Sequence, residues 1–149
     1  MNNTKSEIGD IFGECISEYT RAQAIEDGIL VDVTPVASEA GFKWPTAMTR
    51  TVYERYVEVP PELTGQQDIQ GRLWDVLWML WVAVRTNKIN GDRGEYKLLV
   101  RFPKSAEWQS NEKAHPAERG GLRLVTLKSV SGPGDNGEPC ITIMLPDED

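Results

Sequence analysis

Histidine and cysteine are scarce in this chain, which has one histidine and two cysteines among 149 residues. The histidine is His115, and the cysteines, Cys15 and Cys140, lie far apart in the sequence. A structural zinc site needs several such ligands at short, regular spacings, so the sequence excludes a zinc site of the usual kind. No metal site is predicted, and both cysteines are expected to be small buried thiols.

Long apolar runs are also missing. No stretch approaches the roughly 18–20 apolar residues that a membrane-spanning helix needs. Residues 1–7 include an acid and form no apolar core, so no signal peptide is predicted. The sequence therefore predicts a protein of the cytosol that makes no membrane contact.

The common motifs of catalysis and phosphate binding do not occur. Residues 131–138 are rich in glycine, but their spacing matches neither the Walker nor the dinucleotide fingerprint. No Gly-x-Ser-x-Gly elbow is present either. A plain hairpin loop is the favoured interpretation of 131–138, and these motifs predict no catalytic residue.

Positive charge is in deficit, and the net charge is −7 at pH 7. Phosphate contacts need clustered cations, so direct nucleic-acid binding is not expected of the chain as a whole. Residues 85–128 run against this balance, with ten basic and five acidic residues. Charged outer faces of strands and a solvated loop are favoured there over a nucleic-acid patch.

The first half of the chain predicts short helices and a strand. Thr20 and Gln23 match a capping box at the start of a helix over 21–27, and Gly28 suits the left-handed end of that helix. Residues 29–33 predict a largely buried strand. Two further short helices are predicted over residues 34–40 and 46–56.

Residues 66–85 predict one long, tryptophan-rich helix whose apolar side chains cover most of its circumference. A helix that is apolar nearly all round is buried on several sides or shared with a partner. Burial is favoured over an exposed docking face, although Asp75 interrupts the run and Arg72 is its expected ion-pair partner. The predicted core residues of this helix are Leu73, Trp74, Leu77, Trp78, Leu80 and Trp81.

Three strands are predicted in the second half, over residues 96–102, 122–130 and 139–145. The polar stretch 103–121 between the first two is longer than ordinary connections, which indicates a functional or mobile loop. The predicted fold is α+β: short helices and a strand, one long buried helix, and a three-stranded antiparallel meander packed on that helix. Residues 1–149 are expected to form one domain, with 1–10 frayed.

Acidic residues supply the candidate partner-binding site. The chain ends in Asp147, Glu148 and Asp149, and a hairpin turn adds Asp135 and Glu138. Several carboxylates near a free end are able to enter a cationic groove on a partner. A solvated acidic tail is the alternative.

Three segments of the chain resemble a family, namely residues 19–33, 71–80 and 137–146. They are similar to a domain family of unknown function found in small proteins of plasmids, prophages and other bacterial mobile elements. The resemblance implies a bacterial cytoplasmic location. It also implies a genomic setting in which small acidic proteins often act against host defences, including as anti-CRISPR inhibitors.

The favoured hypothesis is a non-enzymatic inhibitor that binds a host defence protein or ribonucleoprotein through its acidic surface and needs no cofactor. One alternative is an ADP-ribosyltransferase-like enzyme that uses NAD, with Tyr19, Arg21 and Glu148 as candidate catalytic residues. The first-motif histidine of such enzymes is missing here. A second alternative is a small nucleic-acid-binding regulator that uses the basic segment 85–128.

Overall fold

The structure, a computed structural model, describes residues 19–115 and 121–148. Its helices are α1 (Arg21–Glu26), α2 (Thr34–Ala40), α3 (Arg50–Val52) and α4 (Ile69–Arg85). A π-helical turn, Tyr53–Val57, follows α3, and a 3₁₀ turn occupies Pro61–Leu63. The strands are β1 (Leu30–Asp32), β2 (Thr46–Thr49), β3 (Arg93–Arg101), β4 (Glu112–Ala114), β5 (Leu122–Pro133) and β6 (Pro139–Met144). The mixed α+β class is thereby confirmed.

The strands form one six-stranded sheet in the order β1-β2-β6-β5-β3, with β4 paired to β5. All neighbours are antiparallel except β2 and β6, which run parallel. Leu124 of β5 faces Leu99 of β3 and Lys113 of β4, so β4 lies on the β5 edge opposite β3. That edge is the one that β6 occupies further along β5.

Helix α4 packs on one face of this sheet. Alternate residues of β3, namely Tyr96, Leu98 and Val100, are buried, and the Tyr96 hydroxyl donates a hydrogen bond to the Val76 carbonyl O at 3.0 Å. The alternate residues Glu95, Lys97 and Leu99 are exposed on the other face. Period-two alternation of this kind marks a strand with one buried and one solvated side, as β3 has.

The N-terminal unit forms as its sequence predicts. Thr20 Oγ1 accepts from the Gln23 backbone N at 3.0 Å, and Gln23 Oε1 accepts from the Thr20 N at 2.9 Å. Gly28 follows with a φ of 81°. The strand after it is shorter and less buried than predicted, because β1 lies at the edge of the sheet.

The prediction of a helix over 46–56 is wrong for its first four residues. Thr46–Thr49 form β2, which is inserted between β1 and β6 and has Thr46, Ala47 and Met48 buried. Sheet pairing and burial outweigh the weak helical pattern in this stretch. Helix begins only at Arg50, where Thr49 Oγ1 accepts from the Val52 N at 3.4 Å.

The long helix forms, but the prediction that its tryptophans are core residues is wrong for Trp74 and Trp78. Leu73, Leu77 and Leu80 are buried, whereas Trp74 and Trp78 are exposed to 36% and 41%. Trp81 is partly buried. Helix α4 enters the core through the face that carries Leu73, Leu77 and Leu80, and Trp74 and Trp78 lie outside that face.

The predicted three-stranded meander also needs correction. Its strands correspond to β3, β5 and β6, but they belong to a six-stranded sheet that includes the N-terminal β1 and β2. The expected frayed segment 1–10 lies outside the described residues. In the described ranges, no helix has the length and apolar character to cross a membrane.

Gly121 is expected to be intolerant of any side chain. Its φ is +102°, and a Cβ there would lie 2.1 Å from the Phe102 carbonyl O. Replacing Gly121 with alanine should lower the free energy of unfolding by about 3 kcal/mol or more, because left-handed strain of about 1–2 kcal/mol adds to a backbone clash. Urea denaturation followed by circular dichroism measures the change.

Gly65→Ala is the matched control, since Gly65 has a φ of +88° and open space within 4 Å of the added Cβ. This control should lose only about 1–2 kcal/mol. Equal losses in the two variants would show that the close approach to Phe102 is unimportant.

Candidate functional site

Two exposed tryptophans form the most distinctive surface of the protein. Trp74 and Trp78 lie four residues apart on α4, and residues at this spacing are neighbours on one helix face. Their rings are stacked, with centroids 5.8 Å apart and an interplanar angle of 10°. Large aromatic side chains usually contribute to a core, so an exposed pair on a regular helix indicates a surface for contact.

Trp81 extends this surface by one helical turn. Its ring meets Phe42 edge-on at 5.6 Å, and the Arg85 guanidinium lies 5.3 Å from the ring centroid. Gly41 permits this approach, because a Cβ on Gly41 would lie 3.2 Å from the Trp81 ring. We call Trp74, Trp78 and Trp81 the tryptophan surface.

A second cluster lies on the same side of the sheet but inside the protein. The Glu112 carboxylate has a side-chain exposure of 0% and pairs with Arg55 Nε at 2.8 Å and Arg123 Nη1 at 2.9 Å. The Tyr56 hydroxyl donates to Glu112 Oε2 at 2.6 Å. Asn111 Nδ2 in turn donates to the Tyr56 hydroxyl at 3.0 Å. We call this set of five residues the Glu112 cluster.

The cluster changes the protonation of its members. Burial acts to raise the pKa of Glu112, but hydrogen bonds from Arg55, Tyr56 and the Gln109 backbone outweigh it, so the pKa is lowered overall. Burial, followed by the hydrogen bond to Glu112, raises the pKa of Tyr56 well above its usual range. At neutral pH the cluster therefore holds a carboxylate between two guanidinium groups and a neutral phenol.

The Glu112 cluster anchors the long connection that the sequence predicted to be a functional or mobile loop. Arg123 donates to the carbonyl O atoms of Glu107 and Ala106 at 2.8 and 2.7 Å. Its guanidinium also lies 3.7 Å from the centroid of the Trp108 ring and 4.5 Å from that of Phe102. Residues 106–112 are thus fixed by one buried arginine, and a short strand, β4, forms within the predicted loop.

The acidic residues predicted to bind a partner are largely engaged inside the protein. The Asp135 carboxylate accepts from the Arg21 N at 2.7 Å and the Ala22 N at 3.0 Å, which satisfies free amides at the start of α1. Glu138 accepts from the Asn136 N at 3.0 Å within its own turn.

The acidic end is tied down in a similar way. The Glu148 carboxylate accepts from the Thr49 and Thr51 hydroxyls at 2.9 and 2.6 Å and from the Leu145 N at 2.8 Å. Asp147 is exposed, and Asp149 lies outside the described residues. Among the predicted partner-binding residues that the structure describes, Asp147 is the one whose side chain makes no such hydrogen bond within the protein.

The candidates for an NAD-dependent reaction bond to different partners within the domain. Arg21 donates to the Thr142 hydroxyl at 2.6 Å and the Ile141 carbonyl O at 2.7 Å, while the Tyr19 hydroxyl donates to Asp27 at 2.6 Å. Glu148 instead bonds to the threonines at the start of α3. Each of the three makes a hydrogen bond within the domain, and the NAD-dependent reaction stays a prediction.

Several remaining predictions concern metals and thiols. Cys140 is a buried free thiol, and Cys15 lies outside the described residues. Within residues 19–115 and 121–148, no three His, Cys, Asp or Glu side chains are grouped to hold a metal ion. The charges of Arg72 and Asp75 interact as expected, since Arg72 acts to lower the pKa of Asp75, and the Arg72 guanidinium also donates to the Arg101 carbonyl O at 2.9 Å.

Sequence reasoning missed the Glu112 cluster. Arg55, Glu112 and Arg123 are separated by many residues, and each stands in a stretch that also suits solvated charge. The position of Arg123 in its strand was the signal that could have indicated the cluster. Arg123 lies on the inward-facing side of the strand, together with Val125 and Leu127, which are apolar and buried. A cation at such a position requires a buried anion.

Comparison with known proteins identifies a family. The model of a family of unknown function matches residues 10–149, which is nearly the whole chain. No curated protein and no solved structure matches the chain.

Replacing Glu112 with glutamine should destabilise the fold by about 3–5 kcal/mol at pH 7, because two arginines would lose their buried counter-charge. Glu39→Gln, at an exposed position on α2, is the matched control and should change stability by less than about 0.5 kcal/mol. Chemical denaturation at a series of pH values measures both effects.

The pH dependence follows from the lowered pKa of Glu112. Its stabilising contribution is present above the unfolded-state pKa of about 4.3 and is lost as the pH falls through the lower folded-state value. The difference between wild type and Glu112→Gln should therefore shrink below about pH 4. A difference that stayed constant down to pH 2 would contradict the assignment of Glu112 as the ionised centre.

Proposed function

Since the chain belongs to DUF6573, a family of unknown function, we propose from the structure itself that the protein acts by binding a partner protein through its tryptophan surface. The observation that supports this proposal is the stacked, exposed pair Trp74 and Trp78. Tryptophan is among the residues most often found to dominate the energy of protein interfaces.

The tryptophan surface is prepared for binding by the rigidity of α4. The opposite face of the helix holds Leu73, Val76, Leu77 and Leu80, all buried in the core. The indole rings therefore stand on a backbone that loses little further freedom when a partner binds, and a preorganised surface reduces the entropic cost of association.

The energy available from the two rings is substantial. Exposures of 36% and 41% leave roughly 100 Å² of each tryptophan open to solvent. At about 25 cal/mol per Å², burial by a partner would contribute about 2 kcal/mol for each residue. Together they would account for about three orders of magnitude in affinity.

The biological partner is proposed to be a host defence protein or ribonucleoprotein. This part of the proposal rests on the resemblance to mobile-element proteins that the sequence segments carry. The mechanism would be occlusion, in which the bound protein covers a surface that the defence complex needs. The acidic end has the smaller role, because Glu148 is engaged with Thr49 and Thr51.

Binding should be lost when both tryptophans are replaced. A photo-reactive amino acid at position 78 would cross-link the partner in bacterial lysate, and the same amino acid at position 95, on the outer face of β3, would control for chance contacts. Calorimetric titration of the purified partner should show a loss of affinity of about 100-fold or more for Trp74→Ala/Trp78→Ala.

Leu99→Ala is the matched control for this experiment, because Leu99 is also 40% exposed but lies on the other face of the sheet. It should bind the partner as the wild type does. Unchanged affinity in the double tryptophan variant would refute the proposal, provided that circular dichroism shows an intact fold.

The anti-defence role has its own test. In a bacterial strain with an active CRISPR system, expression of the wild-type protein should raise the plaquing efficiency of a targeted phage. The double tryptophan variant should give the same plaquing efficiency as the empty vector. The control variant Leu99→Ala should raise the plaquing efficiency as the wild-type protein does. Equal plaquing with and without the wild-type protein would exclude an action on the defence system of that strain.

A further inference from the structure

A deep groove lies beside the tryptophan surface. It has a volume of about 600 Å³ and runs between the α2–β2 connection, the C-terminal half of α4 and the start of β3. This volume is typical of sites that enclose a bound side chain or small ligand. The apolar residues that line it are Phe42, Trp44, Leu80, Trp81, Val84, Ile89 and Ile141.

Two of the apolar lining residues, Trp44 and Val84, are open to solvent. Trp44 is exposed to 45% and Val84 to 40%, although both would be expected to avoid water. Trp81 lines the groove and lies three residues beyond Trp78, so the groove continues directly from the tryptophan surface. An extended or helical segment bound along α4 would reach both.

The rim of the groove is basic in a protein whose net charge is −7. Lys43 and Arg93 line it and are exposed, and Arg85 lies over the Trp81 ring that forms one wall. The acid that lines it is Asp92. In the part of the chain that the structure describes, Lys43 and Arg93 have no ion-pair partner within 4 Å.

Unpaired cations around an apolar opening favour one kind of occupant. A partner segment would place an apolar side chain in the groove and carboxylates against Lys43, Arg85 and Arg93. The opposite arrangement, a basic segment, would bring like charges together and be disfavoured. Charge complementarity also disfavours a small apolar molecule, which would leave the rim unpaired.

We propose that the groove binds an acidic peptide segment of the partner protein, with one aromatic or large aliphatic anchor flanked by aspartate or glutamate. This inference rests on the proposed function, because it names the chemistry of the partner segment that continues from the tryptophan surface. The sequence predicted that acidic groups of this chain contact a cationic partner. The inference has the opposite charges, with basic groups of this chain in contact with an acidic partner segment.

The test is a selection from a displayed library of random twelve-residue peptides. Peptides are selected on the wild-type protein, and the enriched sequences are synthesised and measured by fluorescence anisotropy. The expected consensus is an aromatic or large aliphatic residue with acidic neighbours. Binding should weaken at least about tenfold for Lys43→Glu/Arg93→Glu and should fall as sodium chloride is raised from about 50 to about 500 mM.

A matched variant separates the rim from the overall charge. Lys97→Glu/Lys113→Glu makes the same change in charge at exposed positions of β3 and β4 outside the groove, and it should retain binding within about twofold. Backbone amide shifts in the nuclear magnetic resonance spectrum should cluster in residues 41–44 and 87–93. All of these substitutions are at exposed positions, and circular dichroism verifies the fold.

Three results of the selection would overturn the inference: enrichment of basic peptides, enrichment of no peptide, or enrichment of peptides that bind both charge variants equally. A wild-type dimer in analytical ultracentrifugation that Val84→Arg converts to a monomer would also overturn it, in favour of a second copy in the groove. Trp74 and Trp78 do not line the groove, so the peptide should still bind Trp74→Ala/Trp78→Ala. Failure of the tryptophan surface is therefore distinguishable from failure of the groove.

Discussion

One constraint shapes the whole molecule: a helix that lies on a single sheet can bury only one of its faces. Helix α4 is apolar nearly all round, yet the sheet covers only the side that carries Leu73, Leu77 and Leu80. The tryptophans of this helix lie outside that side, and among the described residues Trp74 and Trp78 stay exposed to 36% and 41%. They stack on one another, as Trp74 and Trp78 do, or lean on a neighbouring loop, as Trp81 does on Phe42. The exposed surface thus results from the packing of α4 on the sheet through one of its faces.

The Glu112 cluster is the reverse case. The tryptophans of α4 are apolar groups left at the surface, whereas Glu112 and Arg123 are charged groups that are buried and paired. Arg123 points inward from β5, and its charge is neutralised by a carboxylate brought from the connection between β3 and β5. Residues 106–112 of this connection are therefore held largely by the charged Arg123, which bonds to Ala106, Glu107 and Glu112. Arg55 reaches the same carboxylate from the π-helical turn, so a single ion cluster links the helical layer, the sheet and the loop. A buried ionic link of this kind favours one arrangement of the loop, since alternatives would leave a charge unpaired.

The sequence predicted what depends on local pattern and failed where the answer depends on distant partners. The capping box at Thr20 and Gln23, the glycine at position 28 and the alternation in β3 are local, and they form as expected. Residues 46–49 became a strand because β6, about ninety-five residues later, pairs with them. The sequence did not predict the exposure of Trp74 and Trp78, because exposure also depends on distant parts of the chain. Periodicity shows which residues share a helix face but not how many faces the fold will cover. The carboxylates of Asp135 and Glu148 looked free in sequence, and only tertiary contacts with α1 and α3 show that they are occupied.

The position of β6 has a consequence for how the protein reaches its native state. This strand lies between β2 and β5, and among the described strands it is the one that connects the β1–β2 pair to the rest of the sheet. Until residues 139–144 have been synthesised, the early strands have no sheet to join, and the apolar side chains of β2 lack their neighbours. Pairings between residues so distant in sequence form slowly, because a large loop must close first. The protein therefore passes through its synthesis with an incomplete sheet and unpaired strand edges, the features that attract chaperones and promote aggregation.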